Sequence, residues 1–177
     1  MRNVSVLPVL LSLLLGLSLA ACQSTELLPA GEAGNVETVA SDDLEMNAAI
    51  QQAQGSLDVF IAALASPAPG QTYFSIKARF PYGSGDAAEH MWLDDVAFDG
   101  ERFEATLANE PIYVSDLHIG DRVTIERERI SDWMIVDNGR LLGGFTIYVL
   151  RSRLSEDERR QFDEEFGLEL GEGPEIP

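Results

Sequence analysis

The chain has 177 residues and carries 30 acidic against 12 basic side chains, for a net charge of −18 at neutral pH. That charge argues against nucleic acid as a partner and against electrostatic docking on anionic lipid. The length suits one domain with a real core rather than two, and the single cysteine excludes a disulfide framework.

The first element is an export segment. Arg2 supplies a positive start, and Val4 to Leu19 form an apolar run broken only by Ser5, Pro8, Ser12, Gly16 and Ser18. At about 16 residues the run is short of the ~20 needed to span a bilayer. Small residues then lead into the lone cysteine, as at a signal-peptide cleavage site. Leu19-Ala20-Ala21-Cys22 resembles the lipobox of bacterial lipoproteins. The resemblance implies removal of residues 1–21, acylation of Cys22 and a membrane anchor, and acylation also disposes of an unpaired thiol. Gln23 after the cysteine implies, by the same resemblance, the outer membrane rather than the inner. Residues 22–41 then read as the acylated cysteine and a flexible tether, rich in Glu, Gly, Ala, Pro and Thr, with a reach of ~20–25 Å.

Ser41 is the expected N-cap of a long amphipathic helix. Met46, Ile50, Ala53, Leu57, Phe60, Ile61 and Leu64 recur at spacings of three and four, predicting about 22 helical residues with one apolar face. Gly55 weakens the middle, and Ser66-Pro67-Ala68-Pro69-Gly70 ends the pattern. The period then changes to two, with Phe74, Ile76, Ala78 and Phe80 on one strand face. A second strand over His90–Phe98 and a third from Arg102 are joined by Asp99-Gly100, the strongest hairpin signal present. Asn109-Glu110-Pro111 and an irregular turn over 112–117 follow, then strands over 122–126 and 130–136, the latter turned by Asn138-Gly139. Phe145 to Leu150 suits strand and helix about equally. Ser155-Glu156-Asp157-Glu158 has the form of a capping box and opens a short helix to Phe166. Gly167 ends it, and residues 167–177 read as a disordered acidic tail. The expected fold is α+β, one domain over residues 42–166. Its long N-terminal helix packs on a curled, mostly antiparallel sheet of four to six strands in meander order, with a short C-terminal helix.

A set of short pieces carries a family resemblance: Met46-Asn47-Ala48-Ala49-Ile50, Glu89-His90-Met91-Trp92, Asn109-Glu110-Pro111, Ile119-Gly120-Asp121-Arg122-Val123, Ile130-Ser131-Asp132-Trp133-Met134 and Gly143-Gly144-Phe145-Thr146. In order and spacing, over about Asp43 to Arg153, they resemble the YegJ-like bacterial family, a domain of unknown function often found on lipoproteins. The resemblance brings no activity, cofactor or catalytic residue with it.

Chemistry has few places to reside. Glu89-His90 and Asp132 each open a predicted strand, and a histidine oriented by a carboxylate can serve as a general base near neutral pH. Trp92, Trp133 and Asn109 are the binding candidates, against the commoner roles of core indole and turn residue. His90 with Asp94 or Asp95 offers an N/O set and the Asp94-Asp95 pair could touch calcium, but neither matches a zinc or EF-hand spacing; no Walker loop, dinucleotide fingerprint or nucleophile elbow is present, so neither metal nor cofactor is expected. Three functions stay open. The first is an envelope lipoprotein, periplasm-facing, whose domain binds a protein or an envelope component without catalysis. The second is a small hydrolase or isomerase using His90 with Glu89 or Asp132. The third is an acidic inhibitor of immunity type that neutralises a basic toxin.

Overall fold

In the computed structural model, residues 43–177 are described. Ser41, Cys22, the export segment and the tether lie outside the described residues. The fold is α+β: an open six-stranded antiparallel sheet with four helices. Helices α1 (Leu44–Gly55) and α2 (Leu57–Ala65) precede strands β1 (Gln71–Pro81), β2 (Ala88–Phe98), β3 (Arg102–Leu107) and β4 (Arg122–Glu126). Strands β5 (Ile130–Asp137) and β6 (Arg140–Gly143) and helices α3 (Phe145–Arg153) and α4 (Glu156–Phe166) complete it.

The strand order is β4-β3-β2-β1-β5-β6. The first four strands form a meander, and β5 then returns to the far side of β1 instead of extending the series. Only Arg127–Arg129, a single 3-10 turn, joins β4 to β5 across four inter-strand steps. A flat sheet would separate those strands by roughly 19 Å, whereas the linking residues reach at most about 14 Å. The sheet is therefore bent, drawing β4 toward β5 around a shared core.

That core lies on the concave face, under α1 and α2. Ala49, Ala53, Leu57 and Phe60 from the helices meet Ile76, Ala78, Phe103 and Trp133 from the sheet, all buried. Phe60 is the hub, 5.7 Å from the Trp133 ring and 6.0 Å from Phe74, centroid to centroid. A smaller apolar cluster occupies part of the convex face, where Met134, Val136 and Tyr148 meet Phe162 and Phe166 of α4. Strand β5 thus has both faces covered, and Ile130 to Val136 are all buried. Helix α3 serves both clusters, with Phe145 in the first and Ile147 and Tyr148 in the second.

Two sequence expectations need correction, and one open reading is decided. The helical stretch is not continuous. It breaks at Ser56, whose hydroxyl donates back to the Gln52 and Ala53 carbonyls. The Trp133 indole inserts there and donates to the Ala53 carbonyl and to Ser56 Oγ, each at 3.1 Å. A side chain entering the helical ladder is an ordinary cause of such a break. Helix α1 is capped by Asp43, whose Oδ1 accepts from the Met46 amide at 3.0 Å. Residues 145–150, open between two readings, are helical. The preceding Gly143-Gly144 takes φ values of +74° and +67°, and a Cβ at Gly143 would sit 2.3 Å from the Trp133 carbonyl oxygen. Finally, the expected disordered tail lies along β6. The Leu141 amide donates to the Glu169 carbonyl, Glu169 donates to that of Gly139, and Gly143 donates to that of Glu175. Arg140 pairs with Glu175 at 2.7 Å, and Leu168 is buried. An edge strand presents unpaired amides and carbonyls, and here the chain's own end takes them up.

Candidate functional site

Alternation along β1 and β2 turns Lys77, Arg79, His90 and Trp92 to the convex face, opposite Ile76, Ala78, Met91 and Leu93 in the core. The register sets Lys77 beside Trp92 and Arg79 beside His90, and on the other side Lys77 pairs with Asp132. The register slips between Lys77 and Ala78. Ser131 falls in that irregularity, and its hydroxyl lies 2.9 Å from His90 Nδ1 and donates to the Lys77 carbonyl at 3.2 Å. Lys77 Nζ sits 5.5 Å from the centre of the Trp92 ring and 3.4 Å from Thr146 Oγ1. Helix α4 covers this face as far as Trp92, which is half-buried against its cluster. Beyond it His90 is exposed.

Neither candidate carboxylate joins His90 in a catalytic pair. Glu89 precedes His90 by one residue, so it points to the opposite face. There Oε1 accepts from the Ile112 amide at 2.9 Å, and Oε2 accepts from the amides of Tyr113 at 3.0 Å and Val114 at 3.4 Å. It pins the irregular turn after Pro111 to the sheet. Asp132 is fully buried. Its Oδ1 accepts from the amides of Trp133 at 2.8 Å and Phe145 at 3.1 Å, and its Oδ2 accepts from the amide and hydroxyl of Thr146 at 2.7 and 2.6 Å. It therefore caps α3 from a neighbouring strand, replacing Gly144, which has no side chain for the task. Burial raises the Asp132 pKa, opposed by these hydrogen bonds and by Lys77. Three of its four partners are backbone amides, which can only donate, so these contacts favour the carboxylate against the burial. Burial in turn lowers the Lys77 pKa, with Asp132 acting the other way.

The other binding candidates divide. Trp133 is wholly buried in the core and offers no surface. Asn109 is a structural clamp: its Oδ1 accepts from the Trp92 amide at 3.0 Å, while the Ala108 amide donates to the Trp92 carbonyl at 2.9 Å. Trp92 alone stays at the edge of an open face. Lys77, Arg79 and Ser131 were not singled out from the sequence. The signal available was Lys77 as the only lysine of the chain, two residues from Arg79 and so on the same strand face. Among the described residues no group of three His, Cys, Asp or Glu side chains is arranged to hold a metal ion, and no helix is long and apolar enough to cross a membrane.

His90 is held neutral. Partial burial of the ring and the charges of Lys77 and Arg79 lower its pKa from 6.5 to about 4. The unfolded imidazole takes up its proton near 6.5 and the folded one only near 4. Stability from this residue is therefore complete above 6.5 and is lost as pH falls to about 4. Urea midpoints measured across that window should fall less steeply for His90→Gln than for the parent. Equal slopes would show that His90 does not carry this proton linkage.

The fold and this face define a small α+β domain with a single bent sheet, cations at its convex surface and its candidate carboxylates bound to main-chain amides. The chain belongs to the bacterial family described as "Uncharacterized protein conserved in bacteria (DUF2314)", whose model matches residues 43–170. It is 32% identical over 117 residues to the Escherichia coli "Uncharacterized protein YegJ", covering 66% of this chain and 74% of that one. It is 40% identical over 92 residues to a Neisseria meningitidis "Putative ankyrin repeat protein NMB1133/NMB1171", covering 52% of this chain and 36% of that one. The chain thus spans about a third of the meningococcal relative's length. No solved structure matches it.

Proposed function

We propose that this chain is an envelope lipoprotein, anchored through Cys22 and facing the periplasm, whose domain binds a protein or an envelope component without catalysing a reaction. Gln23 favours the outer membrane. The observation that carries the non-catalytic reading is the use made of Glu89 and Asp132: both carboxylates are saturated by backbone amides and a buried hydroxyl. A hydrolase or isomerase built on His90 then lacks a carboxylate partner, since only the Ser131 hydroxyl reaches its Nδ1. The convex face around exposed His90 and half-buried Trp92 is the surface offered for binding.

Two measurements test the proposal. Membrane fractionation of the full chain should place the parent with membranes and release Cys22→Ser into the soluble fraction. Sedimentation of a processed Cys22→Ser chain with membranes would overturn the anchor. A photo-reactive residue at position 90 should give one discrete adduct in intact cells, while the same residue at Gln161 on α4 should give none. Absence of any adduct from position 90 would overturn the binding face.

A further inference from the structure

Among the described residues, seven arginines each have a carboxylate within ion-pair distance: Arg102, Arg122, Arg127, Arg140, Arg151, Arg153 and Arg160. In a chain with 30 acidic side chains and 12 basic ones, that is the expected outcome. Four of the described basic residues form no such pair: Lys77, Arg79, Arg129, which donates to the Arg79 carbonyl, and Arg159, which donates to the Leu154 carbonyl. Of these, Lys77 and Arg79 share one sheet face. Lys77 donates to the Thr146 hydroxyl, and Arg79 donates to the Asp86 carbonyl at 2.8 Å; neither forms an ion pair. The nearest fixed anion to Lys77, Asp132, already has both oxygens filled by other donors. The two cations stand at alternate positions of β1 on the convex face, Lys77 partly buried beside Trp92 and Thr146 and Arg79 nearer the open edge, with exposed His90 paired opposite Arg79. Two cations side by side, Arg79 with no carboxylate and Lys77 with only the donor-saturated Asp132 beside it, mark a place where negative charge is scarce.

We propose that Lys77, Arg79 and His90 form a binding site for an oxyanion group, a phosphate monoester or a carboxylate, carried by the ligand of this face. The proposal rests on the binding reading above and names the chemistry of its ligand. Arg79 supplies a planar donor fork that suits either group, and Lys77 supplies a point charge. Ser131 holds the His90 ring through Nδ1, so Nε2 is the ring nitrogen not engaged by this contact. The half-buried Trp92 forms an apolar wall beside Lys77. The overall charge of −18 opposes an anion at long range. At physiological ionic strength that opposition is screened beyond about 8 Å, so the local cations decide.

The two histidines of the chain make the test direct, because His118 sits on an exposed loop beside Asp121, outside the Lys77–Arg79 face, and serves as an internal control. Imidazole resonances of the full chain in detergent are followed while methyl phosphate or acetate is added, with chloride as the ionic-strength control. Saturable shifts at His90 but not His118 are expected. They should come with a rise of the His90 midpoint from about 4 toward 6.5, as the bound anion offsets Lys77 and Arg79. Arg79→Gln should weaken binding by about tenfold. Lys77→Met is a second variant that needs no change at Arg79. A response to methyl phosphate alone assigns a phosphate ligand, and a response to acetate alone assigns a carboxylate. No saturable response to either probe, or an equal response in both variants, overturns the site. An adduct at position 90 that persists in both variants would keep the binding face while discarding its anion chemistry.

Discussion

Replacing Asp132 by alanine should destabilise the domain by roughly 3–5 kcal/mol, the range for removing one member of a buried charged set. The buried carboxylate receives four donors from three residues, Trp133, Phe145 and Thr146. Alanine leaves the two opening amides of α3 without an acceptor in a dry interior, and it leaves Lys77 without its nearest counter-charge. Glycine at position 144 offers no replacement cap. Urea unfolding measures the loss, and amide exchange at Phe145 and Thr146 locates it: both should lose protection before the strands do. A cost below about 1 kcal/mol, the worth of one ordinary hydrogen bond, would show that the carboxylate does not organise this helix.

Trp133→Ala is expected to cost a comparable 3–5 kcal/mol, as large-to-small changes of buried aromatics do. The indole fills the centre of the concave core, with Phe60 at 5.7 Å and Phe145 at 5.6 Å. Its N–H also ties down the break between α1 and α2. Trp133→Phe separates these contributions, since it keeps most of the ring contacts and loses the hydrogen bonds. It should recover more than half of the alanine loss while leaving amide protection around Ser56 reduced. If phenylalanine and alanine proved equally costly in urea titrations, the hydrogen bonds rather than the packing would hold the core. The neighbouring Gly143 belongs to the same arrangement, because any side chain there meets the Trp133 carbonyl and ring.

Features governed by neighbours in the chain were legible in the sequence. The alternation of β1, the Asp99-Gly100 and Asn138-Gly139 turns and the Ser155–Glu158 capping box all recur in the fold, because each depends on residues a few positions apart. The family relationship was readable too, since order and spacing survive where single residues are ambiguous. The work of the residues raised as candidates for chemistry was not legible. Glu89 and Asp132 are buried carboxylates whose partners are amides 23 and 13 positions away, and no local pattern names such partners.

By itself, the sequence determined the α+β class, the acidic character and the positions of the hairpins, all set by composition, period and turn chemistry. Only the tertiary structure decided four things: where the first helical stretch breaks, that residues 145–153 form a helix, that residues 168–175 lie along β6, and that Arg79 stands on the sheet face without a carboxylate partner. Each turns on which distant group reaches a given amide, carbonyl or charge first. Burial makes that competition decisive, because a polar group inside the protein must find its partner there or forgo it.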